Sequence, residues 1–150
     1  MILIKNTQRK IKIDTKQLHT DAQKVLDLLK YPDFDLGIWL TTNKTIHYYN
    51  KTYRHKDKPT DILSFPTYPE LKAGQRIKAT ADDEKGLGDL IISLEYVQKD
   101  AKKLGVTFDQ RMQRLLVHGI CHLLGYDHIE DADYKVMLRK EMYLLKMLKK

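Results

Sequence analysis

A chain of 150 residues, 42% hydrophobic and 31% charged, is long enough to bury one core and too apolar to be a disordered tail. No apolar run approaches the roughly 20 residues that cross a bilayer, residues 1–12 lack the apolar block of a signal peptide, and a single cysteine excludes an intrachain disulfide. The expectation is one α+β domain over residues 1–150 in a reducing cytoplasm, with a net charge of +7 that favours polyanions such as RNA.

Residues 2–13 alternate loosely between apolar and polar and predict a strand or hairpin. Asp14 or Thr15 then caps a helix whose apolar positions, Leu18, Ala22, Val25, Leu26 and Leu29, recur at i, i+4, i+7, i+8 and i+11. Tyr31-Pro32-Asp33 ends it. A short apolar strand follows at residues 36–40, and Asn43 is placed to cap a second helix reaching about Tyr53. Residues 55–60 are polar, charged and closed by Pro59, so they predict a loop before a strand at residues 61–65 that Pro66 stops.

Residues 68–85 carry charges and turn formers, Gly74 among them, and predict an exposed, mobile excursion. A buried strand is expected at residues 90–94, then a helix at residues 95–104 that Gly105 terminates. The strongest periodicity comes next. With Thr107 or Asp109 as cap, the residues Phe108, Met112, Leu115, Leu116, Gly119, Ile120 and Leu123 line one long helical face. An amphipathic helix at residues 131–148 completes an expected small mixed sheet of about four strands packed with about five helices.

The chemistry concentrates in Val117-His118-Gly119-Ile120-Cys121-His122-Leu123-Leu124-Gly125-Tyr126-Asp127-His128. Histidines four apart on a helix lie about 40° apart around the axis, so His118 and His122 converge on one point. On a continuing helix His128 would lie about 240° from His122 at about 100° per residue, so the chain must turn first. Gly125 is the residue able to turn it, in a left-handed conformation. Two ligands from the helix and one from the turn leave a coordination position open, the pattern of a catalytic zinc. Cys121 faces a neighbouring side of the helix and is expected to be a small buried residue. Asp127 or Asp131 is a candidate for orienting a ligand histidine, although such an aspartate more often caps the next helix, and Tyr126 is a candidate for stacking on a base or packing beneath the turn.

His-x-x-x-His-x-x-Gly-x-x-His is also the spacing of metzincin metalloproteases, which place a glutamate base directly after the first histidine. Here that position is Gly119, which cannot move a proton.

A second segment, Tyr53-Arg54 followed by Pro59-Thr60-Asp61-Ile62-Leu63-Ser64-Phe65-Pro66, puts a planar cation suited to phosphate at the end of a helix. Together with Leu87-Gly88-Asp89 and the histidine block, this segment resembles the bacterial YbeY family of metal-dependent endoribonucleases, also called rRNA maturation factors. The three blocks occur in the expected order. The resemblance implies one zinc ion per chain on His118, His122 and His128, and Arg54 and His118 as catalytic residues. It implies a single-stranded RNA substrate without DNA specificity. It further implies action on the ribosome, in maturing the 3′ end of 16S rRNA and in ribosome quality control. Whether water or the RNA 2′-OH attacks stays open, and imidazoles also suit nickel. Asp61 and Ser64 match the family block and are expected to serve structure first. The rival readings are a ribosome-assembly factor with a structural metal site and, disfavoured by Gly119, a metzincin-type protease.

Overall fold

The computed structural model describes residues 1–149. Four strands, β1 (Ile2–Asn6), β2 (Asp35–Thr41), β3 (Ile62–Pro66) and β4 (Gly86–Ser93), form one sheet in the order β1-β2-β4-β3. The first three in that order run parallel, and β3 is an antiparallel edge strand. Five α-helices accompany them: α1 (Thr15–Leu28), α2 (Asn43–Arg54), α3 (Leu94–Leu104), α4 (Phe108–Leu123) and α5 (Asp131–Leu148). The expected α+β class, with a small mixed sheet and five helices, is what the chain adopts.

Side chains alternate along each strand, so the sheet builds two different faces. Ile2, Leu36, Ile38, Leu40, Leu90 and Ile92 point to one face and pack under α1 and α4 in the main core. Leu63 and Ile91 point to the other, where α2 supplies Ile46 and a much smaller cluster. The helical stripes do what their periodicity implies. Leu18, Ala22, Val25, Leu26 and Leu29 of the first are all buried, as are Met112, Leu115, Leu116, Ile120 and Leu123 of α4. Burying one such Leu or Val side chain contributes about 1.5–3 kcal/mol, so these stripes dominate what holds the domain together.

Local signals set most boundaries. The Asp14 carboxylate accepts from the Gln17 N–H and caps α1, and Gly105, left-handed at φ 69°, ends α3. Thr107 and Gln110 form a reciprocal capping box at the start of α4. Asn43 is not the cap of α2: Thr42 occupies that position without a side-chain bond. The Asn43 N–H instead donates to the Glu95 carboxylate (2.9 Å), and its side-chain oxygen accepts from Ser93 Oγ (2.7 Å). A carboxylate from a distant helix does the capping.

The excursion at residues 68–85 is irregular apart from a short turn at Asp82–Glu84, but it is not loose. The Arg76 guanidinium donates to the Leu29 and Lys30 carbonyls, each at 2.8 Å, and lies 3.9 Å over the Tyr31 ring. The Ile77 N–H donates to the Tyr31 hydroxyl (3.0 Å), and Leu71, Ile77 and Ala79 pack against the main core. The excursion is largely exposed, as expected, and these contacts tie it to the rest of the fold. Polar residues that look exposed in sequence are anchored on the C-terminal end of α1, a partner some 46 residues away.

Candidate metal centre

The last turns of α4 bring His118 and His122 to the rim of the main core, both half-buried. Leu124 follows, then Gly125 at φ 92°. Its N–H donates to the His122 carbonyl (3.0 Å), and the Tyr126 N–H reaches back to the Cys121 carbonyl (3.1 Å), closing the helix end. A Cβ at position 125 would collide with the Leu71 carbonyl oxygen, so a side chain there is excluded by space as well as by conformation. The turn delivers His128. One nitrogen from each of His118, His122 and His128 lies within 4.8 Å of the other two, and the three are positioned to hold a metal ion.

The outer ring nitrogens decide which inner atoms are free. His118 Nδ1 lies 2.9 Å from the Glu141 carboxylate, and His122 Nδ1 lies 2.9 Å from the Tyr126 carbonyl. Both partners only accept, so both Nδ1 atoms carry the proton. With those protons on Nδ1, the two Nε2 atoms face each other at 3.0 Å. Two lone pairs facing at that distance repel unless a cation lies between them, and a divalent ion suits that need. Burial, with His118 and His128 adding to it, pushes the His122 imidazolium down to about 4, so the ring is neutral at physiological pH. The donor set fits a metal without having to lose a proton from His122.

Glu141 is the residue that sequence reasoning missed. It sits on α5 between Met137 and Leu144, in the buried stripe of that helix, at 4% exposure. A carboxylate in an apolar stripe was the available signal. Glu141, and not Asp127 or Asp131, partners His118. Asp127 accepts from the Ile129 N–H, and Asp131 opens α5. Cys121 is fully buried, and burial with Glu141 nearby pushes its thiol up to about 12, so it stays a protonated core residue as expected. Tyr126 is partly buried against the core.

Gly119 answers the protease comparison by packing. It lies against the sheet, where a Cβ would meet Ile62 Cδ1 at 2.7 Å and Leu90 Cδ2 at 2.9 Å. Position 119 faces the core, and a glutamate has no room there.

Arg54 stands outside the histidine cluster, exposed at the C-terminal end of α2, and among the described residues it makes no ion pair. The loop after it is held by Asn50, whose Nδ2 donates to the Lys58 carbonyl (2.8 Å), and by a 2.7 Å contact between His47 and Asp57. A chain of neighbours links the two places. Tyr53 packs edge-on against Phe65 at 5.4 Å, and Phe65 and Pro66 flank Gly88. Gly88 abuts Leu123, the residue after His122. The residue before Arg54 and the residue after His122 therefore both border the paired strands β3 and β4. Asp61 holds structure, as expected: it accepts from the Ile62 N–H (2.7 Å) and from Arg111 (3.2 Å).

A cleft of about 770 Å³ opens beside His122, with Pro69 to Ala73 of the excursion on one side and Tyr126, Asp133 and Val136 on the other. The family model described as Endoribonuclease YbeY matches residues 3–149. The chain belongs to the YbeY family. It is similar to the human Endoribonuclease YbeY, 35% identical over 144 residues that cover 96% of this chain and 86% of that protein. The Aquifex aeolicus Endoribonuclease YbeY is 37% identical over 150 residues, covering 99% and 92%. The solution structure of TM1509 from Thermotoga maritima superposes with a TM-score of 0.65 at 26% identity, covering 99% of this chain and 89% of that one. YbeY membership accords with the motif resemblance and with the fold.

Proposed function

We propose that this chain is a zinc-dependent endoribonuclease of single-stranded RNA, acting as one domain over residues 1–150. The observation that carries the reading is the convergence of three histidine nitrogens, in a chain that matches an endoribonuclease family over residues 3–149. His118, His122 and His128 would hold the ion. When bound, it supplies Lewis-acid chemistry at a phosphodiester.

The protein's own residues do the rest. Glu141 keeps the proton on His118 Nδ1 and so keeps Nε2 free to ligate. His128 is exposed, so one side of the centre is open to a polymer. Arg54 presents a rigid fork of donors to a phosphate approaching around the end of β3, and stabilises the charge that develops there. No carboxylate base follows the first histidine, which separates this centre from the peptidases of like spacing. In the cell we place the activity in the cytoplasm and on the ribosome, in rRNA maturation that includes the 16S 3′ end and in ribosome quality control. No helix of the described residues is long and apolar enough to cross a membrane.

Stripping the metal with a chelator is expected to abolish cleavage of a labelled single-stranded RNA, and a stoichiometric amount of zinc to restore it. Cleavage that survives complete demetallation, checked by elemental analysis, would contradict the proposal.

A further inference from the structure

The sheet face opposite α4 carries a groove that the metal centre does not use. Two cross-strand rows build its floor: Leu3, Gly37, Asp89 and Phe65 in one, and Lys5, Trp39, Ile91 and Leu63 in the next. Helix α2 covers only the β3 and β4 side of this face, and a groove of about 460 Å³ stays open beside it. Four aromatic rings line the groove. Tyr49 and Tyr53 are nearly parallel, 6.0 Å apart at 4°, while Trp39 meets Tyr49 edge-on at 5.6 Å. Tyr53 meets Phe65 in the same way and is 61% exposed.

The polar groups around these rings point to the occupant. The Lys5 ammonium stands 5.2 Å from the centre of the Trp39 ring, at the β1 side. Arg54 follows Tyr53 directly, at the α2 side. A side chain at Gly37 would collide with the Asp89 carboxylate, so the glycine lets that carboxylate lie across the floor. Aromatic faces stack bases of any identity, flanking cations take phosphates, and a carboxylate accepts from an exocyclic amino group of a base. With a net charge of +7, the surface complements a polyanion that also presents flat apolar faces. The groove and the histidine centre lie on opposite faces of the same part of the sheet: Phe65 lines the groove, its neighbour Pro66 pairs with Gly88, and Gly88 abuts Leu123 beside His122.

We propose that this groove is a stacking subsite for unpaired RNA bases flanking the cleaved bond, with Trp39 and Tyr53 as platforms and Lys5 as a phosphate contact. The proposal rests on the endoribonuclease reading above. A strand threaded through it would turn around the end of β3 to reach the histidines.

Trp39 is the chain's one tryptophan, so its emission reports on the groove alone. The probe is a labelled single-stranded 2′-O-methyl RNA of about 12 nucleotides, within the range of known single-strand sites, added to the metal-loaded protein. Anisotropy measures binding anywhere on the surface, and Trp39 quenching measures occupancy of the groove. The two titrations are expected to give the same Kd. Tyr53→Leu, which keeps an apolar cover over Phe65, is expected to weaken binding by about tenfold, the loss of one stacked base. Tyr53→Phe keeps the ring and is expected to bind as wild type, which separates stacking from a folding defect. Lys5→Gln is expected to lower the salt dependence of binding by about one phosphate contact.

Binding seen by anisotropy, with Trp39 emission unchanged and Tyr53→Leu equal to wild type, would overturn the subsite while leaving the endoribonuclease reading intact. Absence of both binding and cleavage by the wild type would bring down that reading and the subsite with it. Normal RNA binding by Tyr53→Leu with lost affinity for ribosomal particles would mean that a protein docks in the groove, and would overturn the proposal.

Discussion

Gly119→Glu is expected to unfold the domain rather than to create a protease. The substitution would restore the glutamate of the metzincin spacing, yet the position faces the sheet, with Ile62 and Leu90 closing on it at 2.7 and 2.9 Å. Leu90 is fully buried and Ile62 nearly so. Overpacking of this kind costs about 1–3 kcal/mol, and burying a carboxylate without a partner costs several kcal/mol more. The gain from removing a helical glycine, about 1 kcal/mol, does not offset this. Set against a total stability of roughly 5–15 kcal/mol, the loss is expected to remove the cooperative transition in urea. Gly119→Ala is the control: it meets only the flexible ends of two side chains and is expected to stay folded. A folded Gly119→Glu with near wild-type stability would show that α4 does not pack as described.

The second large effect is expected at Glu141, measured on metal binding rather than on activity. Its carboxylate accepts from His118 Nδ1 and lies 3.9 Å from Arg114, with its side chain 6% exposed. Without it, His118 is free to rotate and to carry its proton on the ligating nitrogen. Partners of this kind are generally worth about 10–100-fold in metal affinity. Glu141→Ala is expected to weaken zinc binding within that range in competition against a chromophoric chelator. Glu141→Gln keeps an acceptor for the Nδ1 proton and is expected to fall between the two. Zinc affinity in Glu141→Ala equal to wild type would leave the His118 ring held by something else.

The contrast between Gly125 and Glu141 shows where sequence is informative. Spacing and a glycine sufficed to foresee that two histidines leave one helix face and that the chain must turn to bring in His128, since those constraints are local. The same holds for the stripes of α1 and α4, where one period describes one buried face. Glu141 lies 23 residues from its partner on another helix, and the packing of α4 against α5 is what brings the two together. Asp127 and Asp131 were the nearer carboxylates in sequence, but the turn points Asp127 at its own backbone. The anchoring of the excursion by Arg76 and the capping of α2 by Glu95 are not legible in the sequence for the same reason, because each depends on a partner 46 or more residues away. The aromatic groove was hidden in a related way. Its residues come from all four strands and α2, and only the register of the sheet puts Lys5 beside Trp39 and Asp89 beside Phe65.

The central claim is that RNA is cleaved at the three-histidine centre. The most direct measurement compares cleavage of a labelled single-stranded RNA by wild type and His122→Ala, purified side by side, each assayed for bound metal and for its thermal transition. The account predicts a folded variant that has lost both the metal and the cleavage. Equal cleavage by the two proteins would contradict it and would place the activity elsewhere than at His118, His122 and His128.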